Sequence, residues 1–163
     1  MLRIRNLVSV ASVALAATLG VILPSIKGIH AQQSTVNLIV CYDGRRNGTA
    51  DIEIQDLNGN SLTGLITSLS DATPAVSHGR NGNDECPGKS FVAERGATYT
   101  IEAKYYKRGA LEYTVAPETC SFTINNNAIE VEIDIERNEV DIRQRVARGS
   151  ERLGKEVCGG EEA

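Results

Sequence analysis

The chain has 163 residues, 41% hydrophobic and 23% charged, with 21 acidic against 17 basic side chains and a net charge of −4. That balance argues against nucleic acid and anionic membrane surfaces as partners, since both demand clustered basic charge. With 4% aromatic residues and no Trp, a stacking platform for glycans is reduced to an outward-pointing Tyr106.

Residues 1–31 have the layout of an export signal: Arg3 and Arg5, an apolar run over 7–23, then Pro24, Lys27 and the small Ala31. Cleavage after Ala31 is expected. The competing reading, an uncleaved anchor, meets an apolar run of about 17 residues, at the short limit of spanning length. Removal takes away three basic and no acidic residues, which moves the net charge from −4 to −7 and leaves one domain's length of chain.

Over 35–43, Val36, Leu38, Val40 and Tyr42 alternate with Ile39 and Cys41, predicting a strand covered on both faces. A turn at 44–48 leads to a second strand over 49–56, with Ile52 and Ile54 on one face, stopped by Asn58-Gly59. A short strand is expected within 61–69. Residues 70–89 are rich in Ser, Asp, Asn, Gly and Pro and read as a long loop, the kind that usually carries function. A short strand over 90–94 and a turn at Arg95-Gly96-Ala97 precede a long strand over 98–106 that points Tyr99, Ile101, Ala103 and Tyr105 inward. Beyond Lys107-Arg108-Gly109 come Leu111, Tyr113 and Val115, a break at Ala116-Pro117, and then Cys120, Phe122 and Ile124.

The stretch 128–136, AIEVEIDIE, has the clearest pattern: Ile129, Val131, Ile133 and Ile135 alternate with Glu130, Glu132, Asp134 and Glu136. At 100° per residue both sets would spread around a helix, so the stretch must be a strand with one dry face. The acidic row could take a divalent cation or a basic partner; a solvated face that discourages edge pairing is the expected account. Some seven short strands with turn signals about every ten residues predict an all-β fold, an antiparallel two-sheet sandwich over 32–137. Residues 138–163 are charged, with Val140, Ile142, Val146, Leu153 and Val157 scattered among them, and predict a short helical tail interrupted near Gly149.

Four cysteines, Cys41, Cys86, Cys120 and Cys158, behind an export signal predict two disulfides in an oxidising compartment, secreted or otherwise extracytoplasmic. Three pairings are open; a strand-to-loop bridge plus a tie for the tail is slightly favoured. No CxxC half-site exists and His78 is the one histidine after the signal, so neither a metal nor another cofactor is expected. His78, Arg80, Asp84 and Glu85 cluster in sequence and form the candidate binding loop, with general acid–base chemistry the lesser alternative. Asp56, Asn58 and Asn60 mimic the start of a calcium loop, but Ser61 and Thr67 stand where glycine and glutamate are required, so a turn is expected. Asn47-Gly48-Thr49 is both a glycosylation sequon and a hairpin turn.

The run TVNLIVCYDGRRNGTADIEIQDLNGNSL, with GKSFVAERGATYTIEAKYY and SFTINNNAIEVEIDI after it, resembles collagen-adhesin B-type repeats and carboxypeptidase regulatory-like domains across residues 35–136. That resemblance implies a prealbumin-like or immunoglobulin-like sandwich. Adhesin repeats often carry a Lys–Asn isopeptide with the Lys on the first strand, yet no Lys lies between Ala31 and Lys89 here. The hydroxyisourate hydrolase of the transthyretin sandwich uses two histidines and a terminal Tyr-Arg-Gly-Ser, against which this chain offers His78 and an internal Ala147-Arg148-Gly149-Ser150. The expected function is an exported non-catalytic module with a structural or adhesive binding role at the cell surface or in an extracytoplasmic assembly, its partner a protein or glycan at the cell surface, with self-association allowed and membrane contact only through the transient signal. The alternative is a small-ligand carrier or an accessory domain of an extracytoplasmic enzyme system.

Overall fold

Period-two alternation needs a sheet to lie on, and the chain builds two. The computed structural model describes residues 34–79, 82–146 and 152–162; the expected export signal lies outside them. The strands are β1 (Thr35–Tyr42), β2 (Gly48–Asp56), β3 (Ile66–Leu69), β4 (Ala75–His78), β5 (Asp84–Glu94), β6 (Thr98–Lys107), β7 (Ala110–Val115), β8 (Ser121–Thr123), β9 (Ala128–Ile135), β10 (Glu139–Val146), β11 (Arg152–Gly159) and β12 (Glu161–Glu162). The first sheet runs β11-β10-β9-β1-β5-β4; the second runs β12-β7-β6-β2-β3, with β8 also paired to β6. Between them Leu38, Val40, Val131, Ile133 and Ile135 meet Ile52, Ile54, Ile101, Tyr105 and Val115, all 0% exposed, in one cluster. Burying each such side chain is worth roughly 1.5–3 kcal/mol, which a one-residue slip of register would forfeit.

Four expectations need correction. The described residues form twelve strands rather than about seven. The sandwich is also not wholly antiparallel, because β9 returns from the second sheet and lies parallel to β1, Leu38 beside Val131 and Val40 beside Ile133. Ile129 is 42% exposed: the register shifts between Arg145 and Val146, and the bulge gives the inward place to Ala128. The tail is not helical where described. Val140 and Ile142 alternate with Asp141 and Arg143 in register with β9, and a neighbouring strand edge decides in favour of a sheet.

The tail then changes sheets. β11 pairs with β10 in the first sheet and β12 with β7 in the second, with Gly160 at the crossing. A Cβ on Gly160 would overlap the Tyr113 ring, so the close approach depends on glycine. Tyr113 stacks on Tyr105 and Tyr105 on Tyr42, with centroids 5.4 and 6.4 Å apart. Burial pushes the Tyr42 and Tyr113 phenols well above the ordinary range, and the Tyr113 hydroxyl donates to the Glu136 carbonyl at 2.7 Å.

The disulfides are Cys41–Cys86 and Cys120–Cys158, spanning 45 and 38 residues. The tail tie is as expected, and Cys41 does bond the cysteine of the 70–89 segment, but Cys86 lies on β5 rather than in a loop. In the chain-entropy account, closing loops of this length contributes about 4 kcal/mol each. Replacing Cys120 and Cys158 together by Ser is expected to cost about 2–4 kcal/mol in urea denaturation. An unchanged midpoint would show that β11 and β12 hold without the tie.

Candidate functional site

Cys41 lies opposite Gly88 across the β1–β5 ladder, yet its sulfur bonds Cys86, two residues further back. The strand therefore bends near Pro87-Gly88. A Cβ on Gly88 would overlap the Val40 carbonyl oxygen, so the close approach to β1 also requires glycine. The β4–β5 hairpin consequently folds across β1 and reaches β9. Gly79 N donates to both carboxylate oxygens of Glu130, at 3.0 and 3.1 Å, and His78 Nδ1 lies 3.6 Å from Glu132 Oε2. Ile39, on the outer face of the sheet, is fully buried. The expected loop at 70–89 is thus largely a strand pair. Its residues carry little apolar pattern because the bridge and the backbone ladder hold it.

The acidic row of β9 is not solvated: Glu132 and Asp134 are 9% and 5% exposed. Cations from the supposed helical tail cover it, since β10 sets Arg143 opposite Glu132 and Arg145 opposite Glu130. Arg143 hydrogen-bonds Asp134 through Nη1 and Asp141 through Nη2, the latter at 3.0 Å, and lies 3.6 Å from Glu132. Arg145 stands 3.6 Å from Glu130, and Lys155 of β11 is 2.6 Å from Asp141 and 3.8 Å from Glu139. Among the described residues, Glu130, Glu132, Asp134, Glu136, Glu139 and Asp141 therefore share Arg143, Arg145 and Lys155, an excess of acid over permanent base.

Ionisation reflects that excess. Burial, followed by the neighbouring Glu132, raises Asp134 to about 7. Burial together with a hydrogen bond to Asp141 raises Glu136 to about 7. Asp141 moves the other way: although burial opposes it, Lys155 and the hydrogen bond from Glu136 hold it below the usual carboxylate range. Asp141 Oδ1 is buried with no hydrogen-bond partner, which leaves it open to accept a proton carried by Glu136.

The residues singled out in sequence do not form one site. His78 and Asp84 are cross-strand partners, with His78 turned toward the first sheet and Asp84 exposed, while Glu85 pairs with Ser77, both exposed. Tyr106 is half-buried on β6 of the second sheet, and Arg80 lies outside the described residues. Glu130 and Glu132 face His78 instead, and Arg145 and Arg143 pair with those two carboxylates. Their signal was present in the sequence, because Asp141, Arg143 and Arg145 recur at period two between Val140, Ile142 and Gln144.

A second concavity of about 520 Å³ lies at the end of the sandwich, among Thr35, Asp56, Leu57, Leu62, Val92 and Tyr99. Leu57 and Val92 are 71% and 65% exposed there. The Asp56 carboxylate accepts hydrogen bonds from Asn58 N, Asn60 N and Asn60 Nδ2, each at 2.8 Å, as a turn rather than a calcium loop. The Asn60 side chain leads in holding its pKa below the ordinary value. No family model, curated protein or solved structure matches the chain.

Two predictions follow from the ion-pair layer. Folded Asp134 and Glu136 keep their protons up to about pH 7, whereas unfolded carboxylates lose theirs near about pH 4. The stabilisation is full below the unfolded value and is lost as pH rises through about 7, so the thermal midpoint should be higher at pH 5.5 than at pH 8. Asp134→Asn should flatten that slope; an equally steep slope in the variant would exclude Asp134 as its source. At pH 8, where Asp134 is ionised, Arg143→Met leaves that buried carboxylate without its cation while Asp141 keeps Lys155, and denaturation should show a loss of about 3–5 kcal/mol.

Proposed function

We propose that the protein is an exported, non-catalytic β-sandwich module with a structural or adhesive role, and that the outward face of the β4–β5 hairpin is its contact surface. The observation that carries this reading is the way the hairpin faces. His78, the one candidate for acid–base work, turns inward with its side chain only 10% exposed, while Ala75, Ser77 and Glu85 stand exposed on the other side. A strand pair clamped at its base by Cys41–Cys86 presents that face with little entropy left to lose on binding. The two disulfides suit an oxidising, extracytoplasmic compartment. The sandwich is compatible with the prealbumin-like arrangement that the adhesin-repeat resemblance implies. Glu85, together with the acidic net charge, favours a protein partner with a basic patch, or a glycan bound through hydrogen bonds rather than stacking.

A carrier or accessory role is the second reading, favoured by the 520 Å³ cleft with its exposed Leu57 and Val92, a volume in the range of small-molecule sites. Binding of the oxidised protein to cell-surface extracts and to a glycan array separates the two. Ser77→Arg with Glu85→Arg should abolish binding at unchanged thermal midpoint if the hairpin is the contact, whereas Leu57→Asp should abolish uptake of an apolar probe if the cleft is. Turnover lost in His78→Ala at unchanged stability would overturn the non-catalytic reading.

A further inference from the structure

We propose that His78, Glu130 and Glu132 form a binding site for one divalent transition-metal ion of the zinc class, roofed by the hairpin. This goes beyond the binding role above and does not depend on it. The ligand atoms of the three residues lie within 4.8 Å of one another. Two ligands bound to one tetrahedral ion at about 2.0–2.2 Å stand about 3.3–3.6 Å apart, a range whose upper end meets the 3.6 Å between His78 Nδ1 and Glu132 Oε2.

The independent observation is His78 itself. Its side chain is nine-tenths buried, and Nδ1, aimed at the carboxylates, has no hydrogen-bond partner. A proton on Nδ1 would point at an oxygen too distant to accept it well; a lone pair there would face two anions. A cation between them satisfies all three groups.

The arginines leave room for that ion. Arg143 approaches Glu132 by Oε1, while His78 approaches it by Oε2. Arg145 approaches Glu130 by Oε1, and Gly79 N holds the carboxylate in place. Both arginines therefore act as outer-shell partners that orient the ligands. The surrounding acid excess makes a further positive charge favourable. One imidazole nitrogen with two carboxylates selects zinc-like ions over calcium and magnesium, which prefer all-oxygen shells.

The test uses the mature protein with both disulfides intact, first stripped by a chelator. Zn²⁺ is titrated against a chromophoric competitor, and Co²⁺ is followed by its visible absorption. One ion per chain is expected, with a rise in thermal midpoint. His78→Asn and Glu132→Gln should each weaken binding by at least the about tenfold to hundredfold that loss of a supporting outer-shell group costs, whereas Glu85→Gln, on the outward face, should not. Three results overturn the site: no binding, undiminished binding in His78→Asn, or Ca²⁺ binding as tightly as Zn²⁺. If His78→Asn fails to fold, X-ray absorption on the zinc-loaded wild type decides, since absence of an imidazole nitrogen from the zinc shell also overturns it.

Discussion

Arg143 stands between Asp134 and Asp141 on the outer face of the first sheet, and the arrangement of the other polar groups follows from that bridge. A central strand normally keeps one face wet. Here β9 loses that option, because β10 flanks it and the hairpin reaches over it. Carboxylates suited to water are then enclosed, and they remain tolerable only where a guanidinium, an ammonium or a retained proton offsets them. The same constraint places Lys155 on Asp141, raises Asp134 and Glu136, and leaves His78 facing anions.

The dry half of the molecule was legible from residue order. Val36, Leu38, Val40 and Tyr42, then Tyr99, Ile101, Ala103 and Tyr105, alternate as strands and are buried as strands. Ile39 and Cys41 were rightly expected to be covered on the opposite face. The wet half was harder to read. Strong charge at Arg143, Arg145 and Lys155 suggested a solvated helix, because charge reports hydration preference and carries no information about which strand edge lies alongside. Ile129 misled for a related reason: a bulge is set by the partner strand, which local alternation cannot register.

The hairpin joins these two halves. Its residues 75–87 have little hydrophobic pattern, and what fixes them is one covalent bridge, a glycine hinge and the Glu130–Gly79 contact. Cysteine count implies a bridge of this kind, although sequence could not reveal that the bridged segment bends over the sheet. That bend gives the hairpin distinct faces, an inner one from which His78 meets Glu132 and an outer one of exposed small and polar side chains.

The two bridges are also consecutive along the chain: residues 41–86 form one closed loop and residues 120–158 the next, with no interleaving. In a chain made N-terminus first, the earlier pair of thiols is complete before the later pair has been synthesised. Neither ring encloses the other's cysteines, so the first closure need not be undone for the second. Vectorial oxidation would reach this pairing by joining cysteines in the order in which they appear, without a reshuffling step.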